Sequence, residues 1–513
     1  VNNGITGGWL RWCVDGRSFI YTAFRGPKAQ GEPFRLLRHT LGTPWEEDVY
    51  EFGDNLSETA FILGFSHERH TDRMVLRVWP GTSPPGEIFI REGTGEWWRL
   101  TGPDDGIHDA IACRDGGIHL VSKRAGPKGE LLRLPPGCRD LADATIFVPM
   151  GDVFLGPPRP DRSCLFVTGD ILLIMVQDTG ASRIQCVSLE GAPVESLDVP
   201  EHVSVTEVVP LGDGALLCLA SHVHTPRWVY HSFVTNTTQP TELSTKPRMV
   251  IPGAQATREW ARSKDGTLVP LTVILPEGYQ HGEARPCVVT GYGGFGLCLE
   301  PQFYPERKVL VERGYIFVVV HIRGGGALGQ AWHEGGWRHQ KQNGFDDFAG
   351  ALDHLVAKGY TRPEMTGIMG ASNGGILMGA MINQHPDKMA AVLSSVGLYD
   401  MLRFEVHPNG PLLIGEYGTI ANADDFHTLH AYSAVHNVPA EGSPLPKILL
   451  VTGAEDTRVD PLITAKLGAC YQAIGADALV RLYPNQGHLP GSLSTHVEQL
   501  AEHLTFFIRT LEP

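Results

Sequence analysis

Residues 370–375 read GASNGG and place a serine among glycines. A serine hydroxyl becomes a nucleophile when a neighbouring base takes its proton, and that base is usually a histidine oriented by a carboxylate. Glycines beside a serine are also common in ordinary loops. The hexapeptide therefore indicates a nucleophile only if a strand precedes it, a helix follows it, and an acid and a base come later in the chain.

The local context of this serine meets the first two conditions. The segment EMTGIMG predicts a short strand that ends at Gly370, and GILMGAMINQ predicts a helix that begins just after Ser372. Strand, G-x-S-x-G and helix form the nucleophile elbow of α/β-hydrolases, in which glycines allow the chain to pack closely around the serine. The backbone N–H of Asn373, at the helix N-terminus, would stabilise an oxyanion.

Acid and base candidates follow two later predicted strands. Functional residues of open α/β sheets gather at the carboxyl ends of strands, and the elbow requires the order serine, acid, histidine. The strand KILLVTG is followed by Glu455, Asp456 and Asp460, and the strand ALVRLYP by His488 in NQGHLPG. Spacing alone favours Asp456 only slightly, so all three acids stay open at this point. The alternative to a catalytic role for His488 as general base is an ordinary structural role, in capping a helix or at the surface.

The second half of the chain supplies the elements that would position these residues. After one hairpin from about residue 256, short apolar strands alternate with helices up to a last helix at about 494–511. One of these helices, FDDFAGALDHLVAKG, should be amphipathic, with Phe348, Leu352, Leu355 and Val356 on one side. Unbroken apolar strands between helices predict a parallel sheet covered on both faces. We therefore expect an α/β-hydrolase domain over residues 251–513.

The first half of the chain has an all-β pattern. Runs of β-forming residues with turn signals recur from near Asp15, Ser57, Asp115, Gly169 and Asp213. The intervals of about 42 to 58 residues are close to the roughly 40 to 50 of a four-stranded propeller blade. Residues 1–250 are therefore predicted to form a β-propeller domain of about five blades, with a β-sandwich as the alternative.

Composition narrows the functional class. The 513 residues suggest about two to four domains, and 42% apolar with 19% charged residues suit a soluble globular protein. A formal net charge of −15 argues against a nucleic-acid partner. The nine cysteines are odd in number and show no C-x-x-C spacing, which favours a cytoplasmic location. No apolar run is long enough to span a membrane, although a targeting segment could precede Val1, which is not a methionine.

Neither a metal nor an organic cofactor is expected. The glycine run in IRGGGALG lacks the lysine of a phosphate-binding loop and does not open a helix of a nucleotide-binding unit. Histidines and carboxylates show no zinc-like spacing in the sequence. The chemistry is therefore predicted to depend on side chains alone.

Six segments of the second half are similar to the motifs of the prolyl oligopeptidases, serine peptidases in which a β-propeller caps an α/β-hydrolase domain. They read GYGGFG (291–296), IRGGGALGQAWHEGG (322–336), KQNGFDDF (341–348), GASNGG (370–375), EDTRVDPL (455–462) and NQGHLPG (485–491). The asparagine after the serine favours this branch over the dipeptidyl-peptidase branch, which usually carries tyrosine there. The first half is similar to the family's propeller more weakly, in GGWLRWCVDGRSFIYTAF and RWVYHSFVT.

The resemblance assigns catalytic roles residue by residue. It implies that Ser372 is the nucleophile, Asp456 the acid and His488 the general base. It also implies that the Tyr292 hydroxyl joins the Asn373 N–H in the oxyanion hole.

The resemblance also implies a substrate pocket. Arg458 matches an arginine that holds a substrate carbonyl, and Phe295, Tyr417 and Val459 match residues that line the pocket. The family's tryptophan that stacks on the substrate proline ring is replaced by Leu413, three residues before the EYG segment. A leucine offers apolar contact without a flat aromatic face, so strict selection of proline is not predicted.

A second departure concerns the propeller. The family normally has seven blades, within the range known for propellers, and an N-terminal segment packed on the hydrolase domain. About five units are recognisable here, and the match begins at what looks like the third, so the first blades are expected to be missing and the edges of the terminal blades unpaired.

The leading functional prediction is a serine peptidase that cleaves oligopeptides through an acyl-enzyme, with no membrane partner. An acyl-transfer specialist on the same triad, meaning an esterase, an isopeptidase or a peptide cyclase, is the first alternative. A non-catalytic propeller scaffold is the second, and the complete set of Ser372, Asp456 and His488 weighs against it. The sequence carries no signal for the oligomeric state.

Overall fold

The computed structural model of the chain describes residues 9–23, 35–57, 60–79, 86–149, 151–156, 162–244, 248–407 and 409–512. Of the segment GGWLRWCVDGRSFIYTAF, which resembles an inner blade, residues 7, 8 and 24 lie outside the described residues.

The described residues up to Ser244 form five antiparallel sheets that follow one another along the chain. The first sheet contains β1 (Leu10–Trp12), β2 (Ser18–Ala23), β3 (Arg35–Thr40) and β4 (Val49–Phe52). The second contains β5 (Phe61–Glu68), β6 (Arg73–Trp79), β7 (Glu87–Glu92) and β8 (Trp98–Thr101). The third contains β9 (Ile107–Ala112), β10 (Ile118–Ser122), β11 (Glu130–Leu134) and β12 (Thr145–Val148).

The last two of these sheets complete the all-β half. The fourth contains β13 (Phe154–Leu155), β14 (Leu165–Thr168), β15 (Ile171–Asp178), β16 (Ala181–Ser188) and β17 (Pro193–Val194), and both β13 and β14 pair with β15. The fifth contains β18 (Val203–Leu211), β19 (Gly214–Ser221), β20 (Arg227–Ser232) and β21 (Thr237–Ser244).

Successive sheets bury apolar side chains between them, which is the packing of propeller blades. Ile20 of β2 and Met74 of β6 share one core, and Ile90 of β7 and Leu120 of β10 share the next. A third core extends from Val121 across the fourth sheet into the fifth. The prediction of a propeller with about five blades is confirmed, and the β-sandwich alternative is wrong.

The described residues from Gln255 form one eight-stranded sheet. Its strands are β22 (Gln255–Arg262), β23 (Leu268–Leu275), β24 (Cys287–Gly291), β25 (Ile316–Val320), β26 (Thr366–Ala371), β27 (Ala391–Ser395), β28 (Lys447–Gly453) and β29 (Ala478–Tyr483). The order in space is β22-β23-β25-β24-β26-β27-β28-β29, and every pair from β25–β24 onward is parallel. The predicted α/β-hydrolase domain is therefore present. We propose that the boundary between the two domains lies near residue 250.

Helices cover both faces of this sheet. They are α1 (Pro305–Glu312), α2 (Gln330–Glu334), α3 (Lys341–Ala357), α4 (Asn373–Gln384), α5 (Ile414–Tyr417), α6 (Ala423–Tyr432), α7 (Pro461–Ala473) and α8 (Leu493–Leu511). Alternate strand residues face opposite cores: Val289 packs with α3, α4 and α7, whereas Val288 packs with α1 and α8. No helix in the described ranges is both long and apolar enough to cross a membrane.

One detail of the predicted amphipathic helix is wrong. Phe348, Leu352 and Leu355 of α3 are buried, whereas Val356 is 38% exposed. Val356 stands four residues after Leu352, so helix periodicity alone places it beside the buried face. It lies in the last turn of α3, which ends at Ala357. Phe345, three residues before Phe348, takes the place on the buried face that Val356 was expected to fill.

The two halves of the chain contact each other directly. Ser182 of β16 donates a hydrogen bond to Glu300, and Arg307 of α1 lies 2.7 Å from the ring nitrogen Nδ1 of His222. Leu412, in a 3-10 turn at Gly410–Leu413, packs against the core shared by the first two propeller sheets. Its neighbour Leu413 packs against the core of the hydrolase domain instead.

Candidate active site

Ser372 occupies a strained turn between β26 and α4. Its backbone angles are φ 56° and ψ −120°, in a region that residues with a side chain rarely adopt. The strand ends at Ala371 and the helix begins at Asn373, so the serine is the one residue between them. This is the geometry predicted from the strand, glycine-rich turn and helix in the sequence.

The glycines around Ser372 are required by the close approach of neighbouring backbone. A methyl group at Gly370 would lie 2.4 Å from the carbonyl oxygen of Gly374, and one at Gly375 would lie 2.5 Å from Gly397 Cα. Atoms at such distances overlap, and backbone cannot move aside as a flexible side chain can. The glycines therefore let the elbow pack against the strand that follows it in space.

Asp456 and His488 form a hydrogen-bonded pair. Asp456 Oδ2 lies 2.8 Å from His488 Nδ1, and the carboxylate side chain is fully buried whereas the imidazole is 11% exposed. Asp456 Oδ1 accepts hydrogen bonds from the backbone N–H groups of Arg458 and Val459 at 2.8 and 2.9 Å. Because a carboxylate can only accept, Nδ1 must carry the proton and Nε2 is left as the basic nitrogen.

The other two acidic candidates have different environments. Glu455 is exposed, and Asp460 caps helix α7 by accepting a hydrogen bond from the Leu462 N–H at 2.8 Å. Among these three described residues, Asp456 is the one that hydrogen-bonds to His488. The geometry thus agrees with the acid that the family resemblance assigns.

The loops that carry the serine, the acid and the histidine lie at the same edge of the sheet. The Ser372 N–H donates to Ser395 at the end of β27, and the Val396 N–H donates to Val451 in β28. The Glu455 N–H donates to the Gln486 carbonyl, which joins the acid and histidine loops. The hydrogen bonds of the described residues do not include one between the Ser372 hydroxyl and His488; such bonds are often long before substrate binds.

Tyr292 and Asn373 adjoin the elbow as predicted for oxyanion donors. The Asn373 N–H is in the first turn of α4, where N–H groups have no acceptor within the helix. A methyl group on Gly374 would lie 3.7 Å from Tyr292 Cδ2, so the tyrosine ring lies beside the turn. The Asn373 side chain donates to the Tyr292 carbonyl at 2.6 Å and thereby ties the two residues together.

Four of the predicted pocket residues belong to the core of the hydrolase domain or pack against it. Tyr417 and Val459 are buried in it, and Phe295 and Leu413 pack against it half-buried. The Tyr417 ring makes edge contacts with Phe295 and with Phe404, each at 5.7 Å between centroids. Arg458 is half-buried in the loop of the acid.

A buried group of charged side chains lies behind this pocket. Lys341, the first residue of α3, is 2% exposed and Glu416 of α5 is fully buried. Lys341 Nζ donates to the Gly293 carbonyl at 2.9 Å and to Asn373 Oδ1 at 3.2 Å, and it lies 3.6 Å from Glu416 Oε1. His333 Nε2 lies 2.8 Å from Glu416 Oε2.

The pKa values of these groups follow from burial and pairing. Burial favours the neutral form of Glu416, but the hydrogen bond from His333 and the charge of Lys341 outweigh it and hold the pKa of the carboxyl below its usual range. Burial lowers the pKa of Lys341, and the nearby carboxylate opposes that effect. Burial, reinforced by the charge of Glu416, raises the pKa of Tyr417, which therefore stays protonated and donates to Asn373 Oδ1 at 2.9 Å.

Sequence reasoning missed the roles of four residues in this region: His333, Lys341, Phe404 and Glu416. Three of them stand in or beside recognised motifs, in HEGG, KQNGFDDF and GEYG. One signal was available: Lys341 stands at the start of a helix whose inner face is apolar. A lysine buried there would need a charged partner, because buried lysines are rare unless paired. Nothing local in the sequence indicates which carboxylate would pair with it.

Comparison with known proteins agrees with this geometry. The family model described as "Prolyl oligopeptidase family" matches residues 301–513. A curated prolyl endopeptidase of Elizabethkingia meningoseptica is 34% identical over 526 residues, which cover 97% of this chain and 71% of the relative. The chain belongs to the prolyl oligopeptidase family. Within this family of serine peptidases, the match extends through the propeller as well as the hydrolase domain.

Two further similarities place the chain within the prolyl oligopeptidase family. The "Dual function macrocyclase-peptidase POPB" of Amanita bisporigera is 38% identical over 220 residues, 42% of this chain and 30% of that relative. A structure from a study of two prolyl endopeptidases and their inter-domain dynamics superposes with a TM-score of 0.88 at 26% identity, over 98% of this chain and 74% of that one. The matches span between 30% and 71% of the first four curated relatives' own lengths.

Proposed function

We propose that this chain is a serine peptidase that cleaves short peptides through an acyl-enzyme on Ser372. The observation that carries the proposal is the buried Asp456–His488 pair at 2.8 Å, at the sheet edge where a strained elbow presents Ser372. Membership of the prolyl oligopeptidase family supports it. The pairing of Asp456 with His488 at the sheet edge that carries Ser372 weighs against a non-catalytic scaffold.

The path of the proton follows from the hydrogen bonds. With Nδ1 donating to Asp456, His488 Nε2 takes the Ser372 proton as the serine oxygen attacks the substrate carbonyl carbon. The imidazolium then returns the proton to the leaving amine as the carbon–nitrogen bond breaks. The imidazole then takes a proton from water, which attacks the carbonyl carbon of the acyl-enzyme. The ester bond to the Ser372 oxygen breaks, the imidazolium returns the proton to that oxygen, and the acid product leaves.

The Asn373 N–H and the Tyr292 hydroxyl would stabilise the oxyanion of each tetrahedral intermediate. The N–H belongs to the first turn of α4, and the tyrosine ring lies beside Gly374. A single donor of this kind is worth about 3 kcal/mol of transition-state stabilisation.

The substrate proposed is an oligopeptide with an apolar residue before the cleaved bond. Phe295, Tyr417 and Val459 are the residues that this side chain would contact; Tyr417 and Val459 belong to the core of the hydrolase domain, and Phe295 and Leu413 pack against that core. Without a flat aromatic face at Leu413, a proline ring loses a stacking contribution of about 0.5–1.5 kcal/mol. Arg458, in the neighbouring loop, would hold the next substrate carbonyl.

A fluorophosphonate probe tests the nucleophile. The wild-type chain should become labelled, and Ser372→Ala should not, because the probe phosphorylates an activated serine. Ser494→Ala, which removes an exposed hydroxyl of α8, serves as the matched control and should label fully. Labelling of the Ser372→Ala variant, or none of the wild type, would refute the assignment.

A substrate panel tests the pocket. Chromogenic peptides that differ only in the residue before the cleaved bond should show comparable kcat/KM for proline, alanine and leucine. A preference for proline of about 10²-fold, equal to about 2.7 kcal/mol, would contradict the argument from Leu413.

Acyl transfer to an amine is the second candidate activity. The changed pocket at Leu413 and the similarity to a dual function macrocyclase-peptidase favour it. Transfer and hydrolysis share every step up to the acyl-enzyme and differ in whether an amine or water attacks it. Mass spectrometry of the products of peptides with a free N-terminus separates them, because cyclisation releases a product lighter by one water than the hydrolysed acyl fragment.

We propose a reducing, cytoplasmic location, since all nine cysteines, which lie in the described residues, are free. Fractionation of the cells that make the protein tests this, and recovery from an oxidising compartment would contradict it.

A further inference from the structure

The ammonium group of Lys341 contacts three separate parts of the candidate active site. Its three N–H donors face the Gly293 carbonyl in the oxyanion loop, Asn373 Oδ1 beside the nucleophile, and Glu416 Oε1 in the helix that follows Leu413. These acceptors belong to segments that lie far apart along the chain. Lys341 Nζ donates a hydrogen bond to each of the first two acceptors, and its 3.6 Å separation from Glu416 Oε1 is an ion pair longer than a hydrogen bond.

We propose that Lys341 is a positioning residue, which fixes the oxyanion loop, the residue after the nucleophile and the pocket helix relative to one another. This inference rests on the proposed peptidase function and deepens it. Lys341 is not proposed to contact the substrate. It acts through Asn373 and through Tyr292, whose neighbour Gly293 accepts its hydrogen bond.

The surroundings of Lys341 explain why a charged group suits this task. The lysine is 2% exposed and its partner Glu416 is fully buried, so water competes little for their hydrogen bonds. The ammonium also lies 5.2 Å from the centre of the Tyr417 ring, a favourable arrangement for a cation. His333 supports the carboxylate from its other oxygen, at 2.8 Å.

The oxyanion loop has little room to move, because it packs directly against the nucleophile elbow. A methyl group at Gly294 would lie 2.5 Å from the Asn373 amide, and the Asn373 side chain already donates to the Tyr292 carbonyl. The loop and the elbow are therefore in direct contact, with Lys341 joined to both. Loss of the ammonium should let the Tyr292 and Asn373 donors move apart without removing either of them.

The test is Lys341→Met, which keeps most of the side-chain length and removes the charge. Active-site titration with a fluorophosphonate gives the concentration of competent enzyme, so kcat is measured per working site. We expect kcat on a short chromogenic peptide to fall about 10²-fold, with KM within about threefold of wild type, because displaced groups lose transition-state contacts more than ground-state contacts.

A pair of inhibitors separates positioning from general damage. A peptide aldehyde reacts with Ser372 to give a hemiacetal whose oxygen occupies the oxyanion hole, whereas the corresponding peptide alcohol forms no such bond. Lys341→Met should weaken the aldehyde about 10²-fold and the alcohol by no more than about threefold.

Two further variants keep the test decisive. Arg307→Met removes another buried cation, 4% exposed and bonded to the Gln302 carbonyl; it should lower thermal stability but leave kcat per titrated site and the aldehyde-to-alcohol ratio unchanged. If Lys341→Met fails to fold because Glu416 loses the ammonium charge, Lys341→Met with Glu416→Gln removes both charges and should show the same selective loss.

The outcomes distinguish this inference from the proposed function. If the wild-type chain is neither labelled nor active, the peptidase proposal fails. This inference alone fails if the wild type is active and both Lys341 variants keep kcat and the aldehyde-to-alcohol ratio within about threefold of the wild-type values. It also fails if Arg307→Met shows the same selective loss.

Discussion

Replacement of Asp456 by asparagine tests the proposed catalytic geometry with little change of shape. The carboxylate accepts two backbone N–H groups on Oδ1 and the His488 ring on Oδ2. An asparagine oxygen can keep both backbone bonds, so the loop should hold its conformation. The amide NH₂ would then face His488 Nδ1, and two donors cannot hydrogen-bond to each other.

The imidazole must respond by changing tautomer. With Nδ1 accepting from the new amide, the proton moves to Nε2, and the nitrogen that should receive the Ser372 proton no longer has a free lone pair. Loss of the correct tautomer in a Ser-His-Asp triad costs about 10⁴-fold in kcat, or roughly 5.5 kcal/mol of transition-state stabilisation. The Ser372 side chain and the oxyanion donors stay in place, so KM should change little.

The assay is kcat on a chromogenic peptide, with thermal unfolding measured in parallel. Asp460→Asn is the matched control, because this neighbouring acid caps α7 and should not alter kcat by more than about threefold. A loss of less than about tenfold in Asp456→Asn, with the fold intact, would show that His488 does not depend on this carboxylate.

Three further predictions follow from the structure. Leu413→Trp should restore the stacking face and raise the kcat/KM ratio of proline to alanine substrates about 2- to 12-fold, by the roughly 0.5–1.5 kcal/mol of an aromatic contact; an unchanged ratio would place Leu413 outside the pocket. Gly375→Ala should lower the free energy of unfolding in urea by about 1–3 kcal/mol, because its methyl would meet Gly397 Cα at 2.5 Å, and full stability would contradict the close packing of the elbow. Burial lowers the pKa of His321 to about 3; between that value and about 6.5 the unfolded chain binds the extra proton, so stability falls as pH falls through this window, and His321→Gln should flatten the dependence. Equal slopes for the variant and wild type would assign the acid sensitivity to other groups.

Local patterns carried the sequence predictions that succeeded. The elbow at Ser372 needs a strand, small residues and a helix within about twenty consecutive positions, all visible in one segment. The β-pattern of the first half likewise repeats at a regular interval that can be read directly from the sequence. That interval predicted about five blades, and the structure has five sheets there. His488 and the acidic candidates could be proposed because each follows a recognisable strand of the same sheet.

The contacts that sequence reasoning missed are long-range. Lys341 and Glu416 meet because α3 and α5 bring their ends together behind the pocket, and neither segment encodes the other's position. Among Glu455, Asp456 and Asp460, the choice depends on which carboxylate the loop turns inward, a matter of backbone hydrogen bonds rather than spacing. Val356 was misplaced because helix periodicity does not show where a helix ends, and Val356 lies in the exposed last turn of α3.

The adjacent leucines at 412 and 413 limit how independently the two halves of this molecule can change. Leu412 packs against the core of the first two propeller sheets, while Leu413 belongs to the predicted substrate pocket. An exchange of propellers between relatives would therefore also move one edge of the pocket. In a chimera, the segment from Phe404 to Leu413 should be inherited with the propeller it fits, and the cleavage preference should follow the donor of that segment.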